Sequence, residues 1–289
     1  MTKIRLGTCS WKYESWKGLV YSDRARENYL LEYSKMYDTV EIDQWFWSLF
    51  GEDKVALPLN RVVEEYVRSV PDDFKFTIKV PNSITLTHFY RKQKTEALKV
   101  NPHFLSISLF EAFMDTLKPM HDKIGLLMFQ FEYLNKQKMS SQQEFTDKLT
   151  AFIEKCDPRF PYAVEIRNPY YLNKAYFQFL NENKIGHVFL QGYFMPDIME
   201  VYQKYRSMIS AAAAIRLHGP DRSDIEERSG GNWNKIYDSR DEELSRITKI
   251  IEEIHSKNLD IYANVNNHYE GSAPLTIEKI RKLLASDTF

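Results

Sequence analysis

Phe74-Lys75-Phe76-Thr77-Ile78-Lys79-Val80 is the stretch on which the fold turns. Large apolar side chains alternate with lysine and threonine, the period of two that marks a strand. Phe74, Phe76 and Ile78 form one face, and Lys75, Thr77 and Lys79 the other. Outward from this segment, runs of the same kind recur in both directions. Ile4–Cys9 and Thr39–Gln44 precede it; Ile124–Phe131, Tyr162–Arg167, Ile185–Leu190, Ala212–His218 and Asp260–Asn267 follow it. Helical patterns separate the runs near 24–37, 60–69, 104–118, 141–155, 174–183, 197–208 and 241–256, and one near 275–285 comes last. Ser141–Glu144 and Ser239–Glu242 have the spacing of capping boxes, which mark helix starts. Eight βα units in series predict a (β/α)8 barrel, a TIM barrel, as a single domain over 1–289. An open doubly wound sheet would carry a Gly-rich phosphate turn after its first strand, and Gly7-Thr8-Cys9-Ser10-Trp11 is not one.

Composition agrees. The chain has 289 residues, 43% of them hydrophobic and 27% charged, with a formal net charge of −1. Such a balance supplies no global field to recruit nucleic acid or an anionic membrane. The two cysteines, Cys9 and Cys156, lack any CxxC or Cys/His spacing, which excludes a disulfide framework and a thiolate zinc site. Both are expected to be reduced and non-catalytic. The first strand begins at Ile4, leaving no room for a signal peptide, and no run approaches the roughly 18 apolar residues of a membrane span. A cytoplasmic protein without membrane contact is expected.

Barrel active sites sit where strands end. Strand parity then selects the inward residues: Glu41 with Asp43, Lys79, Gln130, Glu165 with Arg167, Arg216 with His218, and Asn264 with Asn266. Glu41, Asp43 and Glu165 carry three negative charges against three positive ones on Lys79, Arg167 and Arg216. This set is either chemical machinery or a self-neutralising ion network, and a network need not catalyse anything. Trp11, Trp16, Trp45, Trp47 and Trp233 all fall in connections that follow strands, with Phe46, Phe50, Phe89, Tyr90, Tyr237 and Tyr269. Trp11 and Trp45 are candidates to stack on a ligand, or to cap the barrel as loop core.

Seven segments in order carry a resemblance over nearly the whole length. They are Ile4-Arg5-Leu6-Gly7-Thr8-Cys9-Ser10-Trp11, Thr39-Val40-Glu41-Ile42-Asp43, Phe74–Pro81, Leu127–Phe131, Ala163–Pro169, Ile215–Gly219 and Val265–Gly271. With them the chain resembles the bacterial "domain of unknown function 72" (YecE-like) family. The resemblance implies a TIM barrel and a pocket, but no reaction. It also marks two departures: Asp43 where that family usually has Asn, and Glu132-Tyr133 where it usually has Pro-Pro. Each adds a carboxylate near the mouth.

The pattern points to an enzyme acting on an anionic, phosphate-bearing small molecule or nucleotide. Arg167 and Arg216 would hold the anion, since a guanidinium fork matches phosphate or carboxylate. The helix after Asn266, with Ser272 as its N-cap, would add free amides. Glu165 would serve as general base or acid, with Lys79 or His218 as counterpart and Glu41 and Asp43 beside them. Asn264, Asn266 and Gln130 would orient polar substrate groups. No cofactor is predicted, although Glu41, Asp43, Glu165 and His218 have the ligand types for a divalent metal in a hydrolase or isomerase. A glycosidase is disfavoured, because strand seven ends Arg216-Leu217-His218 without a carboxylate. A Schiff base on Lys79 would need a depressed pKa. The alternative of another class is a nucleic-acid-binding module built on 88–103, where Arg91, Lys92, Lys94 and Lys99 outnumber Glu96 beside Phe89 and Tyr90. Oligomeric state is not legible.

Overall fold

The computed structural model describes residues 2–22, 28–91, 93 and 95–286. Its strands are β1 (Ile4–Thr8), β2 (Thr39–Ile42), β3 (Leu49–Gly51), β4 (Lys54–Val55), β5 (Lys75–Lys79), β6 (Ile124–Phe131), β7 (Tyr162–Ile166), β8 (Gly186–Gly192), β9 (Ala213–Gly219) and β10 (Ile261–Val265). Eight of them form one parallel sheet in the order β1-β10-β9-β8-β7-β6-β5-β2, and β3 and β4 make a separate antiparallel hairpin. Pairing of β1 with β10 (Ile4 opposite Ile261) wraps the sheet round, so it is a nearly closed TIM barrel.

The helices are α1 (Tyr29–Tyr33), α2 (Asn60–Arg68), α3 (Asn82–Thr85), α4 (Ile107–Thr116), α5 (Gln142–Ile153), α6 (Lys174–Glu182), α7 (Ile198–Tyr205), α8 (Arg222–Ser229), α9 (Asp241–Ser256) and α10 (Ala273–Ser286). In α9, Leu244, Ile247, Thr248, Ile251 and Ile254 recur at helical spacing and are all buried against the barrel wall. Four sequence expectations need correction. The helix expected over 24–37 spans Tyr29–Tyr33, with 23–27 outside the described residues. The Ser239–Glu242 capping box does not form, because α9 starts after Arg240 and Ser239 Oγ donates instead to Asp241 Oδ2 at 2.9 Å. Three acids in the first turn, Asp241, Glu242 and Glu243, face the positive end of the helix dipole there. At Ser141 half of a box forms: Ser141 Oγ accepts from the Glu144 amide at 3.1 Å, while the Glu144 carboxylate turns to Ser140. Finally, α8 and the β3–β4 hairpin were not expected.

β1 and β2 end the sheet order and meet without a ladder of hydrogen bonds. Here the backbones crowd: a Cβ on Gly7 would stand 2.2 Å from the Thr39 carbonyl oxygen, so only glycine fits. Tyr33, fully buried, bridges the seam. Its hydroxyl accepts from the Thr8 amide (2.9 Å) and donates to the Thr39 carbonyl (3.0 Å).

Inside the barrel, composition changes by layer. Leu126, Met128, Ala163, Val188, Ala214 and Tyr262 pack as an apolar plug at the N-terminal end of the strands. Two residues further along each strand stand Gln130, Glu165, Arg216 and Asn264, and two further again Arg167, His218 and Asn266. The plug closes the bottom and the polar residues collect at the C-terminal mouth, the end where barrel chemistry occurs.

Candidate active site at the barrel mouth

Arg216 organises the centre. Its guanidinium forks onto Glu41, Nε to Oε2 and Nη2 to Oε1, both at 2.7 Å, while Nη1 donates to Glu165 Oε2. The other Glu165 oxygen accepts from Arg167 Nε at 2.8 Å, and Arg167 Nη2 reaches Gln130 Oε1 at 3.1 Å. Asn264 Nδ2 donates to Glu41 (3.3 Å) and to Thr77 Oγ1 (2.8 Å). Glu41, Arg216, Glu165 and Arg167 thus form one continuous ion chain. Burial pushes the Glu165 carboxyl up, but the Arg216 and Arg167 guanidinium groups and Lys79 outweigh it and hold it at about 2. A carboxylate held so firmly is a poor proton acceptor at neutral pH. Arg216, with 3% of its side chain exposed, faces the two carboxylates rather than solvent; Arg167 keeps 32% exposed.

Two inward charges stand outside this chain. Lys79 Nζ makes neither a hydrogen bond nor an ion pair among the described residues; it lies 3.9 Å from the centroid of the Phe46 ring. Burial, and then the Arg216 charge, lower its pKa from 10.5 to about 8. Asp43 likewise has no ion pair among the described residues. Burial and the Glu41 charge raise it from 3.8 to about 6. The two groups that the network leaves over therefore titrate on either side of neutrality.

Above the network, a cavity of about 450 Å³ is lined by Arg167, Glu132, Tyr133, Tyr170, Tyr193 and Phe194, with Leu190 and Met195. The Arg167 guanidinium lies 5.2 Å from the Tyr193 ring, and the Tyr193 hydroxyl meets His218 Nδ1 at 3.0 Å. Tyr193 therefore joins cavity to interior. Its backbone is left-handed (φ 55°), a conformation uncommon for a residue with a bulky side chain. The preceding Gly192 (φ 129°) allows β8 to pass so close to β9 that a Cβ would stand 2.3 Å from the Gly219 carbonyl oxygen. Glu132 pairs through Oε2 with Lys138 at 2.7 Å, while its buried Oε1 has no hydrogen-bond partner.

The other expected residues fall as follows. His218 is buried, and burial with the Arg216, Arg167 and Lys79 charges pushes its pKa well down, so it is a neutral imidazole, with Cys9 Sγ 3.8 Å from Nε2. Burial holds the Cys9 thiol well above its usual range, and both cysteines are free and buried. Asn266 Oδ1 is taken by the His268 amide at 3.0 Å. Ser272 directly precedes α10 and its carbonyl accepts the Thr276 amide at 3.0 Å, but its side chain does not cap: the hydroxyl is buried without a hydrogen-bond partner, and Asn267 Oδ1 accepts the Ala273 amide at 2.9 Å. The acidic Glu270 is buried beside it, accepting from Thr276 and Lys279. This helix end is thus already served by protein groups. Trp11 and Trp45 are taken up in loop packing. Both pack on Tyr66, Trp11 edge-on at 5.1 Å and Trp45 stacked at 5.8 Å, and they are 1% and 9% exposed. Glu41, Asp43, Glu165 and His218 do not gather into a ligand shell: the described residues contain no group of three or more such side chains able to hold a metal. In 88–103, Lys92 and Lys94 lie outside the described residues, and Lys99 pairs with Glu52 at 3.0 Å.

Sequence reasoning missed Tyr170, Tyr193 and Phe194, although Phe194 is 97% and Tyr170 80% exposed. They lie in the connections after strands, Tyr170 in a short 3-10 turn (Pro169–Tyr171), where strand alternation gives no sign. Gly192-Tyr193-Phe194 immediately after a strand was the available signal.

A family model described as "Protein of unknown function DUF72" matches residues 5–288. The chain belongs to the DUF72 family. Among solved structures, this DUF72 protein is similar to a DUF72 family protein from Enterococcus faecalis, at 19% identity and TM-score 0.70, covering 98% of this chain and 96% of that one. It is also similar to a DUF72 family protein from Thermotoga maritima, at 22% identity and TM-score 0.69, covering 98% and 99%. At these identities the likeness bears on the fold alone. No curated protein matches the chain. Among the described residues of this DUF72 protein, no helix is long and apolar enough to cross a membrane.

Proposed function

We propose that this protein is an enzyme that takes an anionic, phosphate-bearing small molecule at the barrel mouth and acts on it by proton transfer. One observation carries the reading: Glu41, Arg216, Glu165 and Arg167 pair among themselves, whereas Lys79 and Asp43 are left unpaired among the described residues. A purely structural network would gain nothing by adding a buried lysine and a half-buried aspartate without ion-pair partners, since each costs desolvation. Between about 6 and about 8, Asp43 is ionised and Lys79 protonated, a base and an acid in one mouth. Arg167 is the guanidinium offered to the cavity and would receive the anion, with Glu165 and Gln130 fixing its orientation. The aromatic walls would exclude water and hold the apolar part of the ligand.

Titration calorimetry with inorganic phosphate, sugar phosphates and nucleotides tests this reading. A charge-assisted hydrogen bond contributes roughly 1.5–3 kcal/mol, so Arg167→Ala should weaken the bound anion about tenfold or more while the protein stays folded. Equal affinity in Arg167→Ala, or no anion that binds the unsubstituted protein, would refute it.

A further inference from the structure

We infer that Lys79 is a covalent nucleophile: its amine forms an imine with an anionic aldehyde or ketone held by Arg167. The inference rests on the proposed function and narrows the substrate class to carbonyl compounds. Three placements support it. Lys79 closes β5, so its side chain stands among the inward residues of the mouth. Its Nζ has no hydrogen bond or ion pair among the described residues, only the Phe46 ring face, so the lone pair once deprotonated is not committed. The carboxylates that could have neutralised it, Glu41 and Glu165, are instead engaged by Arg216 and Arg167. A lysine meant only to balance charge would sit in an ion pair with one of them. The lowered pKa agrees with this arrangement, since it increases the fraction of free amine near neutral pH.

The step balances with residues present. The amine lone pair adds to the carbonyl carbon, a C–N bond forms, and the C=O π pair moves to oxygen. The new ammonium gives a proton to the Asp43 carboxylate, which passes it to that oxygen, so Asp43 starts and ends ionised. The resulting carbinolamine loses its hydroxyl and the remaining nitrogen proton as water, leaving the imine. No oxidant or reductant is consumed.

The test uses glyoxylate, a small anionic aldehyde, with cyanoborohydride to reduce any imine to a stable secondary amine, followed by peptide mass mapping of the unsubstituted protein. Lys79 should be modified at least tenfold faster than an exposed lysine such as Lys174. Arg167→Ala should slow Lys79 about tenfold and leave Lys174 unchanged, and Lys79→Arg should abolish the fast site. Labelling of Lys79 should rise with pH through about 8, set by Arg216, Arg167, Glu41, Glu165 and Asp43 around it. Modification of Lys79 no faster than Lys174 would overturn the imine. Should phosphate still bind through Arg167 in that case, the acid–base reading survives without it; loss of both would remove the site altogether.

Discussion

Lys79 and Arg216 present the same problem, a buried cation, solved in opposite ways. Arg216 is matched at all three of its nitrogens by two carboxylates, and removing it leaves Glu41 and Glu165 facing each other. Arg216→Ala should therefore cost about 3–5 kcal/mol, the usual penalty for breaking a buried pair from one side. A loss of under 1 kcal/mol in urea unfolding would mean that water reaches the carboxylates. Lys79 has no such partner, so its charge is a burden on the fold. Lys79→Met should raise stability at neutral pH by roughly 1–3 kcal/mol, as each unit of pKa shift corresponds to about 1.4 kcal/mol, while eliminating activity. Stabilisation coupled to loss of function is the signature of strain kept for chemistry. A destabilised Lys79→Met would mark the lysine as structural. The alternation of Phe74–Val80 made Lys79 legible as inward, and parity likewise found Glu165 and Arg216. Which of these charges are mutually satisfied depends on distances across the barrel, from β2 to β9 and from β7 to β9, and no local pattern encodes those.

At the level of elements, the eight barrel strands were legible because each alternates or runs apolar between polar loops, and α9 because its buried positions recur every three or four residues. α8 was not, for a physical reason. Arg-Ser-Asp-Ile-Glu-Glu-Arg-Ser buries only Ile225 and Ser229, so it has no apolar stripe to read. Its Asp221 cap, whose side chain accepts from the Ser223 and Asp224 amides, was the remaining clue. Ser239 and Ser272 misled because serine at the right spacing does not by itself ensure a side-chain cap; Asn267 reaches the α10 amide from a buried loop instead. The seam between β1 and β2 depends on one hydroxyl. Tyr33→Phe leaves the Thr8 amide and Thr39 carbonyl without that partner, and should cost about 1–3 kcal/mol. Hydrogen exchange at Thr8 should accelerate selectively; protection unchanged there would show that the seam closes without Tyr33.

For the molecule as a whole, acid is the informative perturbation. Glu165 holds its proton less tightly folded (about 2) than its ordinary value of 4.5. Its contribution is present above about 4.5 and is lost as pH falls towards 2. Asp43 acts with the opposite sign: stability that it lends below its ordinary 3.8 is lost as pH rises through about 6. Urea midpoints compared at pH 6 and pH 3 should fall on acidification, and the drop should shrink in Glu165→Gln; an equal drop in the variant would assign acid sensitivity elsewhere. Closure of the sheet has a different kind of consequence. Lys3, next to β1, bonds Asp260, next to β10, across 257 positions of sequence. At roughly 5–20 residues per second of synthesis, β1 waits on the order of tens of seconds before its partner strand is made. Throughout that time the β10-facing edge of β1 lacks its partner strand and the barrel cannot close. The first strand is made earliest, yet its pairing with β10 can form only when translation is nearly over.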